Sequence, residues 1–134
     1  MKSWAALNKS FMPRAWPLAP ALMAALLAGL VHAQPQDPGT QRVSVERGRA
    51  LLAQYQCGSC HTIPGVPAAR GEVAQTLRAW SRRSYIAGRL QNRPDVLARW
   101  IADPPALVPG TAMPSMGVPP ANVQAMAAYL FSLE

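Results

Sequence analysis

The stretch that decides the fold is Cys57-Gly58-Ser59-Cys60-His61, a C-x-x-C-H sequence. That spacing is the attachment signature of a c-type haem. Each thiol can add to one vinyl group of the ring, giving two thioether bonds along one edge. Two intervening residues let a single turn of chain span both vinyls. The histidine that follows directly then projects under the iron as an axial ligand. The context isolates the motif: Cys57 and Cys60 are the two cysteines of the chain, and the other histidine is His32. A structural disulfide between Cys57 and Cys60 competes with haem attachment in an oxidising compartment. A thioredoxin-like redox pair requires a βαβ context that is missing here. A closed zinc site requires a fourth protein ligand, and after His32 the chain offers no Cys or His beyond the motif itself.

Upstream of the motif, residues 1–36 contain no Asp or Glu, and Lys2, Lys9 and Arg14 make the first stretch positive. An apolar run from Trp16 to Val31 ends in Val31-His32-Ala33. Small or apolar residues therefore stand where a signal peptidase reads, so residues 1–33 are expected to be a cleaved signal peptide. The run is shorter than the roughly 20 residues a spanning helix needs, and Pro17 and Pro20 interrupt its start. Export would place the protein in the periplasm, where haem attachment of this kind is usually done. Residues 34–43, QPQDPGTQRV, are polar and aperiodic and predict a flexible leader, leaving 44–134 as the domain.

The formal net charge is +7, and it falls to +4 without Lys2, Lys9 and Arg14. The remaining positive groups are all Arg, scattered from Arg42 to Arg99 with no basic run and no interleaved aromatics. That pattern argues against nucleic acid and for an acidic protein partner or a solvated surface. A domain of about 100 residues buries only a modest core, and this one draws much of its apolar fraction from Ala. A bound group in the middle would complete it.

Downstream and upstream periodicities predict helices. Residues 44–56, SVERGRALLAQYQ, place Val45, Leu51, Leu52 and Tyr55 on an apolar face. Gly48 lies inside that pattern, where it costs about 1 kcal/mol relative to Ala, and a small residue there lets another helix approach closely. Residues 94–102, PDVLARWIA, predict a short helix with Pro94 in its first turn, ended by Pro104-Pro105. Residues 120–133 predict the closing helix, with Val123, Met126, Ala127 and Leu130 in one stripe. Residues 62–76 and 104–120 read as loops, 77–91 as turns and short helix, and no strand stands out. Long loops are uncommon in a compact domain unless they wrap something.

A sixth iron ligand must come from Met if it is a side chain with a good haem donor, because His61 is the one histidine after the signal segment. Met126 belongs to the apolar stripe and is expected in the core. Met113 and Met116 lie in the Pro/Gly-rich segment 109–117 and compete for the role.

These stretches together resemble the class I cytochromes c over most of residues 44–133. Gly48-Arg-Ala-Leu-Leu52 precedes the haem motif, which continues into Thr62-Ile-Pro-Gly65. Trp100-Ile-Ala-Asp-Pro104 leads to Pro109-Gly-Thr-Ala-Met113, and Met126-Ala-Ala-Tyr129-Leu130 closes the chain. The resemblance implies an all-α class I cytochrome c fold, three to four helices with long loops wrapped around one covalent haem c. It selects Met113 as the sixth ligand and leaves Met116 to packing. It implies that the first helix touches the last near Tyr129 at Gly48, and it places Trp100 near the ligating Met. It offers Arg83, Tyr85 and Asn92 as partners of the haem propionates. Relatives usually carry Gly-Pro before the Leu after the motif, and that Pro carbonyl holds the proximal His. Here the segment is Gly71-Glu-Val-Ala-Gln75-Thr-Leu77. Because the needed group is a backbone carbonyl, Gln75 can accept from His61 instead.

With Cys57 and Cys60 holding the haem and His61 and Met113 on the iron, the expected function is one-electron transfer. The protein would serve as a soluble carrier or as a small subunit of a respiratory complex, and not as an enzyme. Its partners would be redox proteins, an oxidase or a dehydrogenase, met as a monomer or complex subunit and touching a membrane only through them. The alternative is a haem enzyme or gas sensor, which needs a displaceable sixth ligand.

Overall fold

The computed structural model describes residues 37–134, so the expected signal peptide and the first part of the leader lie outside the described residues. Helix α1 runs Pro38–Gln54 and buries Gly48, Leu51 and Leu52. It starts one and a half turns earlier than the periodicity suggests, so residues 38–43 are helical rather than a flexible leader. Pro38 in the first turn has its φ preset for helix, and the Gln41 amide donates to the Asp37 carbonyl at 3.0 Å. This extension is exposed throughout. It propagates from the anchored part of the helix, where each added residue gains a hydrogen bond without a new nucleus, and so it leaves no apolar pattern to read.

Helix α2, Pro94–Ala102, has the bounds the sequence predicts and buries Leu97, Ala98, Trp100 and Ile101. The proline pair ends it at Asp103 but also presets one further helical turn, α3, Pro104–Leu107. Helix α4, Pro120–Phe131, closes the chain and buries Val123, Ala125, Met126, Ala127, Tyr129 and Leu130. Met126 is 0 % exposed, as its place in the stripe requires. Among the described residues, no helix is long and apolar enough to cross a membrane.

The core is built where α1 and α2 both pack on α4. At Gly48 the two long helices meet backbone to backbone: a Cβ there would stand 1.9 Å from the Ala125 carbonyl oxygen and 2.9 Å from Tyr129 Cβ. No residue but glycine fits that approach, which explains a glycine in a helix interior. Arg47 Nη2 donates to Asn122 Oδ1 at 2.8 Å across the same pair of helices.

Residues 77–91 contain a 3-10 turn, Trp80–Arg82, and a minimal antiparallel hairpin. Strand β1 is Tyr85–Ile86 and β2 is Leu90–Gln91, with Tyr85 opposite Gln91 and Ile86 opposite Leu90. Its turn places Ala87 at φ 51° and Gly88 at φ 69°, the pair of positive values that matches strand twist. Two residues per strand are too few for an alternation to show, so the sequence gives no strand signal here.

Candidate functional site

Helix α1 stops at Tyr55, and Gln56 at φ 57° turns the chain sharply out of it. The motif follows as a 3-10 turn, Cys57–Ser59, closed by the Cys60 and His61 amides, which donate to the Cys57 carbonyl at 3.3 and 3.0 Å. Cys57 is half-buried and Cys60 exposed, and no disulfide joins them. Burial pushes the Cys57 thiol above its ordinary range; its own backbone hydrogen bond opposes this, and the neighbouring Cys60 adds to it.

The turn is clasped by the returning chain. The Gly71 amide donates to the Gly58 carbonyl at 2.9 Å, and the Ala74 amide to the Cys60 carbonyl at 2.9 Å. Side chains are excluded at the contact: a Cβ on Gly58 would lie 2.5 Å from Ala69 Cα, and one on Gly71 2.5 Å from the Ser59 carbonyl oxygen. Thr62 then fixes the next layer. Its Oγ1 donates to the Gly71 carbonyl at 3.1 Å, and its carbonyl accepts the Leu77 amide at 2.8 Å.

His61 Nδ1 lies 2.6 Å from the Gln75 carbonyl oxygen. A carbonyl can only accept, so Nδ1 carries a proton, and in the neutral ring Nε2 then keeps its lone pair for a metal. The Gln75 backbone thus supplies the orienting group that the sequence expects of it.

Met113 is half-buried and packs against the core that Cys57 also touches. Its amide donates to Thr111 Oγ1 at 3.3 Å, and the loop turns on Gly110 at φ 81° and Gly117 at φ 65°. Met116 is 43 % exposed. The two competing methionines therefore differ in burial in the direction that favours Met113 as a buried donor.

Around the 3-10 turn at Trp80, Asn92 Nδ2 donates to the Trp80 and Arg83 carbonyls at 2.9 and 3.0 Å. The guanidinium of Arg83 stacks on the Trp80 ring, 5.0 Å from its centroid. Trp80 Nε1 and Asn92 Oδ1 are buried without a hydrogen-bond partner among the described residues. Tyr85 is 59 % exposed.

Residues 45–134 match the cytochrome c family. The chain belongs to that family. Cytochrome c oxidase subunit 2 of Alkalihalophilus pseudofirmus is 33 % identical over 89 residues, covering 66 % of this chain and 25 % of that protein. The chain thus spans about a quarter of that relative's length. No solved structure matches it significantly. With family and helices together, the class I cytochrome c fold stands, and so does a covalently bound haem c with iron that serves electron transfer.

The cytochrome's own atoms fit that group. An unpaired buried N–H costs about 1–3 kcal/mol, and the Trp80 indole N–H has no acceptor among the described residues. A haem propionate is an acceptor of the right charge. Asn92 Oδ1 is itself an acceptor and gains nothing from a carboxylate, while its Nδ2 is already engaged. Trp80 has no signal in the sequence that marks it for this role. A tryptophan between two turn segments carries no periodic signal, and only its burial without a partner distinguishes it.

Proposed function

We propose that this cytochrome carries single electrons in the periplasm after export, as a soluble carrier or as a small subunit of a respiratory complex. Cys57 and Cys60 would hold the haem by thioether bonds, and His61 Nε2 and Met113 Sδ would ligate the iron. The observation that carries this reading is the 2.6 Å bond from His61 Nδ1 to the Gln75 carbonyl, which fixes the tautomer and aims the free nitrogen. When bound, haem c supplies a one-electron couple between ferric and ferrous iron.

The chain's residues set how that couple behaves. Met113, as a thioether donor, would raise the reduction potential relative to harder ligands. Together His61 and Met113 leave no open position for a substrate, and no second histidine stands in residues 37–134 to act as a distal acid or base. Cys60 is exposed, so the thioether edge reaches the surface, where a small weak interface with a redox partner suffices. The scattered arginines suit an acidic partner. The likeness to an oxidase subunit supports a terminal oxidase as one such partner or host complex.

The test is Met113→Ala beside Met116→Ala in the exported holoprotein. Met113→Ala should keep the haem attached and let reduced iron bind carbon monoxide. Met116→Ala should leave the spectrum as in the parent. The reverse pattern would transfer the ligand role to Met116.

A further inference from the structure

The carbonyl that orients His61 belongs to a segment with no regular structure: residues 71–77 form neither helix nor strand, and Gln75, Thr76 and Arg78 are exposed. The segment also lacks proline. An orienting group on exposed irregular chain needs something to hold it, because an axial ligand is only as fixed as the atom that aims it. The Ala74 and Leu77 amides tie the two flanks to Cys60 and Thr62. Between them, Thr76 Oγ1 donates to the Thr62 carbonyl at 3.3 Å, and among the described residues the one bond that reaches Gln75 itself, beyond His61, comes from a side chain. Arg83 Nη1 donates to Gln75 Oε1 at 3.2 Å, and its Nη2 donates to the Thr76 carbonyl and, at 3.2 Å, to the Arg78 carbonyl.

Arg83 is well placed to bear that task. Its guanidinium is stacked on Trp80 at 5.0 Å. Its amide donates to the Trp80 carbonyl at 3.1 Å, and its own carbonyl accepts from Asn92 Nδ2 at 3.0 Å. Both ends of the residue are therefore anchored to the Trp80 turn. A planar fork with several donors in fixed geometry can hold three acceptors at once, which a lysine ammonium on a flexible stem cannot reproduce.

We infer that Arg83 is a positioning residue for the proximal ligand: its guanidinium clamps Gln75, Thr76 and Arg78 so that the Gln75 carbonyl keeps His61 Nδ1–H in line. This rests on the proposed role of His61 as an iron ligand. It assigns the guanidinium to chain groups on the proximal side, rather than to a propionate. The clamp does what a ring-locked backbone would do at position 75. The Gln75 amide donates to no group among the described residues, so a proline there removes no hydrogen bond and fixes φ directly.

The experiment uses the holoprotein, with covalent haem verified by its pyridine haemochrome spectrum. Arg83→Lys keeps the charge and loses the fork. In the ferrous, diamagnetic state, exchange of the His61 Nδ1 proton with solvent is followed by NMR with labelled histidine. Losing a hydrogen bond's restraint should speed that exchange about fivefold. The reduction potential should rise, because a weaker bond from Nδ1–H to the carbonyl makes the imidazole a poorer donor to ferric iron. Adding Gln75→Pro to Arg83→Lys should restore both values towards the parent. If Arg83→Lys does not yield folded holoprotein, Gln75→Ala, which removes only the Oε1 contact, should show the same shifts at smaller size. Haem-loaded variants with parental exchange and potential would overturn the clamp alone, as would a proline variant that restores neither. A parent protein whose optical spectrum is unchanged by His61→Ala would instead overturn the ligand assignment itself.

Discussion

The crossing of α1 on α4 and the clasp around Cys57–His61 both bring backbone against backbone, but they are held by different forces. At the crossing, Gly48 removes a side chain so that two helices touch, and Leu51, Leu52, Val123, Met126 and Leu130 bury themselves around the contact. At the clasp, Gly58 and Gly71 remove side chains too, but what joins the strands of chain is a series of backbone hydrogen bonds, from Gly71 to Gly58 and from Ala74 to Cys60. The crossing can sustain itself by apolar burial. The clasp buries Ile63, Ala69 and Leu77 beneath it, yet its backbone bonds shape it to present two thiols and an imidazole. Stability sits mainly in the first region and the chemistry in the second.

Breaking the crossing should have the largest effect on folding. Gly48→Val must push α1 away from the Ala125 carbonyl, and overpacking of this kind costs about 3 kcal/mol or more where backbone blocks the new atoms. Chemical denaturation of the holoprotein should show that loss, while any folded fraction keeps the parental haem spectrum. Gly71→Ala attacks the clasp, where the added methyl would meet the Ser59 carbonyl. A loss of about 2 kcal/mol is expected, together with an altered haem spectrum, and that second change distinguishes the two regions.

Tyr129 joins them. It lies on α4, and its hydroxyl donates to the Pro64 carbonyl, just past the motif, at 2.6 Å. Tyr129→Phe should cost about 1 kcal/mol, the net worth of one such bond. Burial is the main reason its hydroxyl titrates above the ordinary tyrosine value of 10.0. A raised folded value means the fold favours the neutral phenol. Its contribution is therefore complete below pH 10.0 and is lost as the pH rises through the folded value. A denaturation series across that range should show an alkaline decline that Tyr129→Phe reduces.

The same contrast explains what the sequence discloses. The motif, the bounds of α2 and the core place of Met126 are all legible, because covalent spacing and side-chain period are local signals. Gly48 is legible as a close contact because a glycine in an otherwise good helix has an energetic cost that something must offset. The Gln75 carbonyl is foreseeable because any residue supplies one. The early start of α1 is not legible, since residues 38–43 bury nothing. Helix α3 is hidden because a proline pair both ends one helix and opens another, and the hairpin at Tyr85–Gln91 is too short to alternate. The orphaned Trp80 N–H and the Arg83 clamp depend on contacts between residues that no periodicity relates.

The central claim is that His61 and a methionine close both axial positions on a covalent haem. The optical spectrum of exported protein, oxidised, reduced, and reduced under carbon monoxide, tests it most directly. The predicted result is a low-spin c-type spectrum that carbon monoxide leaves unchanged. A spectrum shifted by carbon monoxide would show an accessible iron and contradict the electron-carrier assignment in favour of an enzyme or gas sensor.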